Sequence, residues 1–224
     1  MINPAFPTSN AAAQPPFSQH IRRIQRDVLR MGALVESACL LARSALCDRD
    51  LEAAQQLQSH DKQVDQFYRQ IEMDCVDLLT HPPEDMQNLR HVSAFMQLIR
   101  DLERIADYAT DIGEASIKLF PYPAHPCSEQ IQVMFERCRS MVALSLLAVS
   151  DLNAEVGMDI KVKDDAVDDD YDHLYERLIH TPSTSENLES VVLLVLVIRY
   201  LERIADHATN VGRRIAYVVT GERQ

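Results

Sequence analysis

Residues 97–114 read QLIRDLERIADYATDIGE, and residues 196–213 read LVIRYLERIADHATNVGR. Aligned position by position, 11 of these 18 residue pairs are identical. A weaker match precedes each copy, because DKQVDQFY from Asp61 corresponds to DDAVDDDY from Asp164. An internal repeat of this length indicates that one structural unit occurs twice in the chain.

Prolines mark the ends of the predicted helices. Beyond residue 17, proline occurs only at positions 82, 83, 121, 123, 126 and 182, and proline interrupts a helix interior. Between these positions apolar residues recur every three or four residues, as at Ile21, Ile24, Val28 and Met31. This spacing is typical of helices packed in a bundle. It predicts six helices, of which the first covers 18–46, the third ends near Phe120, the fourth covers 129–152 and the sixth covers 186–219.

The predicted fold class is therefore all-α, a six-helix bundle made of two repeated three-helix units. We assign residues 18–120 to the first unit and 127–219 to the second, with the Pro-rich segment 121–126 as their linker. Residues 1–17 are expected to form a disordered N-terminal tail and 220–224 a C-terminal tail. The run 191–198 is rich in β-branched residues, but it continues a helical pattern, so we assign it to the sixth helix.

Composition and charge restrict the class of protein. The net charge of −12 would repel nucleic acid phosphates and anionic lipid, and it favours cations or basic protein surfaces as partners. The five cysteines form no C-x-x-C pair, which favours reduced and mostly buried thiols. No basic residue precedes an apolar stretch in the first 17 residues, and the longest apolar run, 191–198, is too short to span a bilayer. We expect a cytoplasmic protein without membrane insertion.

Each repeat also places acidic residues four positions apart, which puts their side chains on one face of a helix. The pairs are Asp61 and Asp65, Glu103 and Asp107, Asp164 and Asp168, and Glu202 and Asp206. Asp111 and Asn210 follow one turn later on the third and sixth helices. Taking Leu102 as core, Glu103, Asp107 and Asp111 are expected to face away from the apolar stripe, on the surface rather than in the bundle interior.

Two interpretations of these acidic pairs remain open at this stage. Arg100 and Arg104 precede Glu103 and Asp107 by three residues, so the pairs could belong to an ordinary salt-bridged surface. Alternatively, carboxylates that converge from adjacent helices suit hard or borderline cations such as Mg, Mn, Fe, Ca or Zn. His207, with Tyr108 as its counterpart, either orients or ligates at such a site or packs against the neighbouring helix.

The segments LERIADYATDIG and LERIADHATNVG closely resemble the signature of the PhoU family, and Met31-Gly32 resembles its M-G motif. The resemblance covers about residues 18–219. It implies a six-helix bundle that binds clusters of iron or other divalent ions (Fe, Mn, Mg or Zn) on its surface. Carried over, Asp61, Asp65, Glu103 and Asp107, extended by Asp111, form a first acidic site. Asp164, Asp168, Glu202 and Asp206, extended by Asn210, form a second acidic site. The first repeat departs from the family pattern in having Tyr108 in place of His and Asp111 in place of Asn.

The resemblance further implies a negative regulator of phosphate uptake and of the phosphate-starvation response. Such a protein links the ATPase of a phosphate ABC transporter to a sensor histidine kinase, at the cytoplasmic side of the inner membrane. We expect a homodimer that senses phosphate indirectly and is not an enzyme. The alternatives are a carboxylate-bridged di-metal enzyme and a metal-free helical dimerisation module. The enzyme is disfavoured because the chain has no Glu-x-x-His motif, which carboxylate di-metal bundles place in their interior.

Overall fold

The computed structural model describes residues 17–80, 86–182 and 187–222. Within these residues the chain forms six helices and no strand. They are α1 (Phe17–Cys47), α2 (Leu51–Leu79), α3 (Met86–Leu119), α4 (Ser128–Asp151), α5 (Ala154–Ile179) and α6 (Leu188–Thr220). The prediction of an all-helical bundle is confirmed, and the run 191–198 lies within α6.

The predicted helix ends differ from the observed ones by one or two residues where both are described. Phe17 is a buried residue of α1 rather than part of a tail, and Thr220 is still helical. The third helix ends at Leu119 instead of Phe120. Residues 1–16, Pro82 and Pro83, the predicted sixth-helix start at Glu186, and residues 223–224 lie outside the described residues.

The repeat is visible in the turns that begin α2 and α5. Asp50 caps α2 by accepting hydrogen bonds from the backbone N–H groups of Glu52 and Ala53 at 2.9 and 3.1 Å. Asn153, 103 positions later, caps α5 in the same way. The residue before each cap is left-handed, with φ of 57° at Arg49 and 48° at Leu152. Side-chain capping stabilises a helix start by about 1 kcal/mol, and both units use it.

The six helices pack as two three-helix units with a continuous core. Helices α1, α2 and α3 contact one another, as do α4, α5 and α6. The two units meet where α3 packs on α6 and where α1 packs on α4. Among the described residues, α2 contacts only α1 and α3, and α5 contacts only α4 and α6. Each unit therefore has one outer helix, and this helix is the one that carries an Asp-x-x-x-Asp pair.

Apolar side chains from all six helices form the core, with Phe95 and Phe135 among the largest that are fully buried. All five cysteines are free thiols, and Cys47 alone of them is half-buried rather than buried. Burial raises the pKa of Cys47 to about 11. None of the helices in the described ranges contains a stretch long and apolar enough to cross a membrane.

Candidate functional site

The first acidic site lies along the seam between α2 and α3. The buried residues Val64 on α2 and Leu102 and Ile105 on α3 belong to one core cluster, and their neighbours Asp65, Glu103 and Asp107 are half-buried. Residues i and i+4 lie on the same face of a helix. Glu103 and Asp107 therefore lie together at the edge of the seam, beside the packed apolar residues.

The two helices bring these carboxylates within electrostatic range of one another. Burial, together with the charges of Glu103, Asp61 and Asp111, raises the pKa of Asp107 to about 6 against the opposing effect of Arg104. The Asp61 carboxylate of α2 also raises the pKa of Glu103 and of Asp111, after burial and nearer acids. Asp61 thus faces all three acidic residues that α3 contributes to the first acidic site.

The second acidic site occupies the corresponding seam between α5 and α6. Burial raises the pKa of Asp168, as do the charges of Asp164 and, across the seam, Asp206. Burial likewise raises the pKa of Glu202, with Asp206 and Asp168 adding to the shift. Asn210 is half-buried one turn beyond Asp206. The predicted residues of each site therefore lie along one seam, with Asp168 the most exposed of those in the second site.

Two carboxylate oxygens of the second acidic site are buried, and neither has a hydrogen-bond donor among the residues that the structure describes. Asp164 is 5% exposed; its Oδ2 accepts a hydrogen bond from Lys161 Nζ at 3.0 Å, whereas Oδ1 has no hydrogen-bond partner within the described residues. Glu202 Oε2 has none there either, since Arg203 Nε lies 3.7 Å away. A buried acceptor without a donor is costly, and a cation bound at either oxygen would supply the missing partner.

The acidic residues of α3 are less exposed than the sequence analysis predicted. The helical wheel placed Glu103, Asp107 and Asp111 away from the apolar stripe, yet the Glu103 side chain is only 24% exposed and that of Asp107 33%. Asp164 is buried outright. The reason is that α2 and α5 pack against this flank of α3 and α6, which a wheel drawn for one isolated helix does not include.

Basic residues of the same helix pair with several of the acids. Arg104 Nη1 donates to Asp107 Oδ2 at 3.2 Å, and Arg203 Nη1 donates to Asp206 Oδ2 at 3.1 Å. Arg199 pairs with Glu202 at 2.6 Å. Within the part of the chain that the structure describes, no three His, Cys, Asp or Glu side chains are placed to hold a metal ion together. The oxygen donors suit a hard cation chemically, but a cation would have to displace these arginines from the carboxylates.

His207 pairs with a residue of the other unit. Its Nδ1 lies 2.9 Å from Oδ1 of Asp101 on α3, and Asp101 Oδ2 accepts from Arg214 Nε at 2.7 Å. Tyr108 stacks on His207 and on Tyr200, with ring centroids 5.9 and 5.8 Å apart. His207 and Tyr108 therefore pack across the α3–α6 contact that joins the two units, beside the second acidic site.

Sequence reasoning missed Asp101 and Arg214. The repeat contained the relevant signal, because Asp101 aligns with Tyr200 and Tyr108 aligns with His207, and both pairs are mismatches. When two similar units pack about a pseudo-two-fold axis, a contact between two positions occurs twice. Here one copy is the hydrogen bond between Asp101 and His207 and the other is the stacking of Tyr108 on Tyr200, so the interface between the units is asymmetric.

The fold and the acidic seams define a class of protein: a helical bundle of two duplicated three-helix units, each with a carboxylate cluster on its outer seam. The protein-family model described as "PhoU domain" matches residues 28–116 and 131–215 of this chain. The chain belongs to the PhoU family.

Relatives match this chain over nearly its whole length. A protein of Synechocystis described as a phosphate-specific transport system accessory protein PhoU homolog is 44% identical over 93% of each chain. The crystal structure of the phosphate transport system regulatory protein PhoU from Streptococcus pneumoniae superposes with a TM-score of 0.86 at 29% identity, covering 93% of this chain and 99% of that one. PhoU from Pseudomonas aeruginosa gives a TM-score of 0.86 at 28% identity, covering 92% and 100%.

Proposed function

We propose that this chain regulates phosphate transport and the phosphate-starvation response, as a binding module without turnover. The observation that carries the proposal is full-length similarity to proteins described as accessory or regulatory components of phosphate transport. The protein acts as an adaptor between the ATPase of a phosphate ABC transporter and a sensor histidine kinase. It works as a homodimer at the cytoplasmic face of the membrane and represses phosphate uptake when phosphate is abundant.

The second part of the proposal is that the acidic sites hold divalent or iron cations. Asp61, Asp65, Glu103, Asp107 and Asp111 would hold cations at the first site. Asp164, Asp168, Glu202, Asp206 and Asn210 would do so at the second. The support is chemical: burial and neighbouring carboxylates raise the pKa of Asp107 and of Glu202, and two buried oxygens of the second site have no donor within the described residues. A bound cation would supply positive charge that the neighbouring arginines and Lys161 provide only in part.

The residues of each seam act by linking an outer helix to an inner one. Without a cation, like charges on the two helices repel, and this repulsion opposes close packing at the seam. A cation held by carboxylates of both helices would tie Asp61 to Glu103 and Asp107 at the first site, and Asp168 to Glu202 and Asp206 at the second. The outer helices α2 and α5 are thereby held in a defined position, and partners can recognise their outward faces.

The experiment measures metal content of the purified, untagged protein by elemental mass spectrometry after loading with Mn, Fe or Zn. Glu103→Gln/Asp107→Asn tests the first site, and Glu202→Gln/Asp206→Asn tests the second. Each variant is expected to lose its own share of the metal while keeping the helical circular dichroism spectrum.

A matched control removes the same two charges from exposed positions outside both seams, Glu36→Gln/Glu176→Gln. We expect it to hold as much metal as the wild type. Equal losses in the control would mean that metal only screens the overall negative charge. A wild-type protein without metal after loading would refute the cation sites and favour the salt-bridged surface, leaving only the regulatory role.

A further inference from the structure

A groove lined by arginines lies between the start of α1 and the end of α4 of this acidic protein. Its volume is about 720 Å³, and it is lined by Gln19, Arg22, Arg23 and Arg26 of α1 and by Ser150 of α4, among others. We call it the basic groove. Gln25 ties its two sides together, because its Nε2 donates to the backbone oxygen of Val149 at 2.9 Å.

The groove concentrates arginine in a chain of net charge −12. Residues 22–30, RRIQRDVLR, contain four arginines and one acid, Asp27. Arg23 pairs with Asp74 and Arg30 with Asp27, each at 2.9 Å. Arg22 and Arg26 are exposed, and neither forms an ion pair within the described residues. Because they are four residues apart, their guanidinium groups project from the same face of α1.

The second unit has no equivalent of this charge. The caps Asp50 and Asn153 relate the two units by 103 positions, so Arg22 corresponds to His125 and Arg26 to Glu129. Packing of α1 does not require arginine at these positions, since its core contacts are made by Ile21, Ile24 and Val28. The basic groove is therefore a property of one end of the molecule and not of the repeated unit.

We propose that the basic groove is a docking site for an acidic segment of a partner protein. A guanidinium group matches a carboxylate in a two-pronged geometry, and Arg22 and Arg26 are free to offer it. The site is a groove, which suits an extended or helical segment that fits between α1 and α4. The proposal does not depend on the cation sites, because those lie on α2, α3, α5 and α6.

Other anionic partners fit these observations less well. A bilayer or a nucleic acid extends beyond the groove and would also meet the negative charge of the surrounding surface. Interactions between charges are screened only beyond about 10 Å at 0.1 M salt, so negative charge near the groove would repel such a partner. A single phosphate ion would occupy a small part of 720 Å³ and would remain largely hydrated there. A short acidic segment gains from several charges at once and contacts little of the surrounding surface.

The test is fluorescence anisotropy with fluorescein-labelled octaglutamate as the probe and the full-length protein at low salt. The variant is Arg22→Gln/Arg26→Gln. The control, Lys118→Gln/Arg213→Gln, removes the same charge from exposed positions on α3 and α6. We expect saturable binding by the wild type, affinity about tenfold weaker in the variant, and a change below about twofold in the control. Unchanged melting curves would show that both variants are folded.

Four results would overturn the proposal. The first is the absence of saturable binding, and the second is an equal loss of affinity in the control variant. The third is displacement of the probe by inorganic phosphate beyond that caused by chloride of equal ionic strength. The fourth is binding to phosphatidylglycerol vesicles, in place of the peptide, that depends on Arg22 and Arg26. The third result would identify a phosphate site and the fourth a membrane-binding surface. Normal metal content in the Arg22→Gln/Arg26→Gln variant would separate failure of this proposal from failure of the cation sites.

Discussion

Gly157 of the outer helix α5 lies directly against Gly212 of the inner helix α6. The variant Gly212→Ala tests how much the packing of the second seam depends on this backbone contact. A Cβ atom at Gly212 would lie within 3.0 Å of the Gly157 carbonyl oxygen and 3.1 Å from its carbonyl carbon. These are backbone atoms, which cannot rotate away, so α5 and α6 would have to separate. The repeat provides a matched control, because Gly113 is the equivalent residue of α3.

At Gly113 the added Cβ would meet the end of the flexible Leu57 side chain, and the nearest backbone atom, Ala54 O, is 3.8 Å away. Alanine favours a helix interior over glycine by about 1 kcal/mol, and this gain is common to both variants. Moving Leu57 off its rotamer costs about 0.5–1.5 kcal/mol, so Gly113→Ala is expected to change stability by less than about 1 kcal/mol. Separating two backbones falls at the upper end of the usual overpacking cost of about 1–3 kcal/mol.

Gly212→Ala is therefore expected to destabilise the protein by about 1–2 kcal/mol net, which corresponds to a fall in Tm of about 2–8 °C for a chain of this size. Thermal and urea unfolding, followed by circular dichroism on metal-free protein, measure both variants. If cations bind at the seams, Gly212→Ala should also weaken binding at the second site only, because Asp164 lies two turns from Gly157. Equal stability of the two variants would refute the assignment of a backbone clash at Gly212.

Three further predictions concern charges and a cap. Because burial and then Glu103 raise the pKa of Asp107 to about 6, the folded metal-free protein binds this proton more tightly than the unfolded chain. The free energy of unfolding should therefore rise as pH falls from about 7 to 5, and this gain should be lost as pH rises through 6. Carboxyl NMR should show Asp107 half-protonated near pH 6, and the Glu103→Gln variant should have a lower midpoint. A midpoint of about pH 4 in the wild type would contradict the prediction. Asp101→Ala leaves Arg214 partly buried without its carboxylate and should cost about 2–3 kcal/mol in urea unfolding, a value below about 0.5 kcal/mol being inconsistent with an ionic link between the units. Asp50→Ala removes the cap of α2 and should lower Tm by about 2–4 °C; no change in Tm would mean that the cap contributes nothing.

The two acidic sites differ in a way that follows from this packing. Ala54 of α2 takes the place that Gly157 has on α5, and Asp61 is half-buried where its equivalent, Asp164, is buried. Closer approach of α5 to α6 explains the stronger desolvation of Asp164. Similar acidic motifs therefore lie in two different environments within one chain.

The sequence by itself determined the helices and the grouping of the acids. Helix periodicity and proline interruptions act over a few residues, so their effects can be predicted locally. The repeat then related Glu103 and Asp107 to Glu202 and Asp206 without reference to coordinates.

Only the tertiary structure decided how these groups are solvated and paired. The contacts of Asp101 with His207 and Arg214 span 106 and 113 positions, and no local pattern specifies them. The pKa of Asp107 depends on α2 covering one flank of α3, and the basic groove exists because the start of α1 meets the end of α4. Desolvation and charge pairing are set by distances between helices, which the packing of the whole bundle determines.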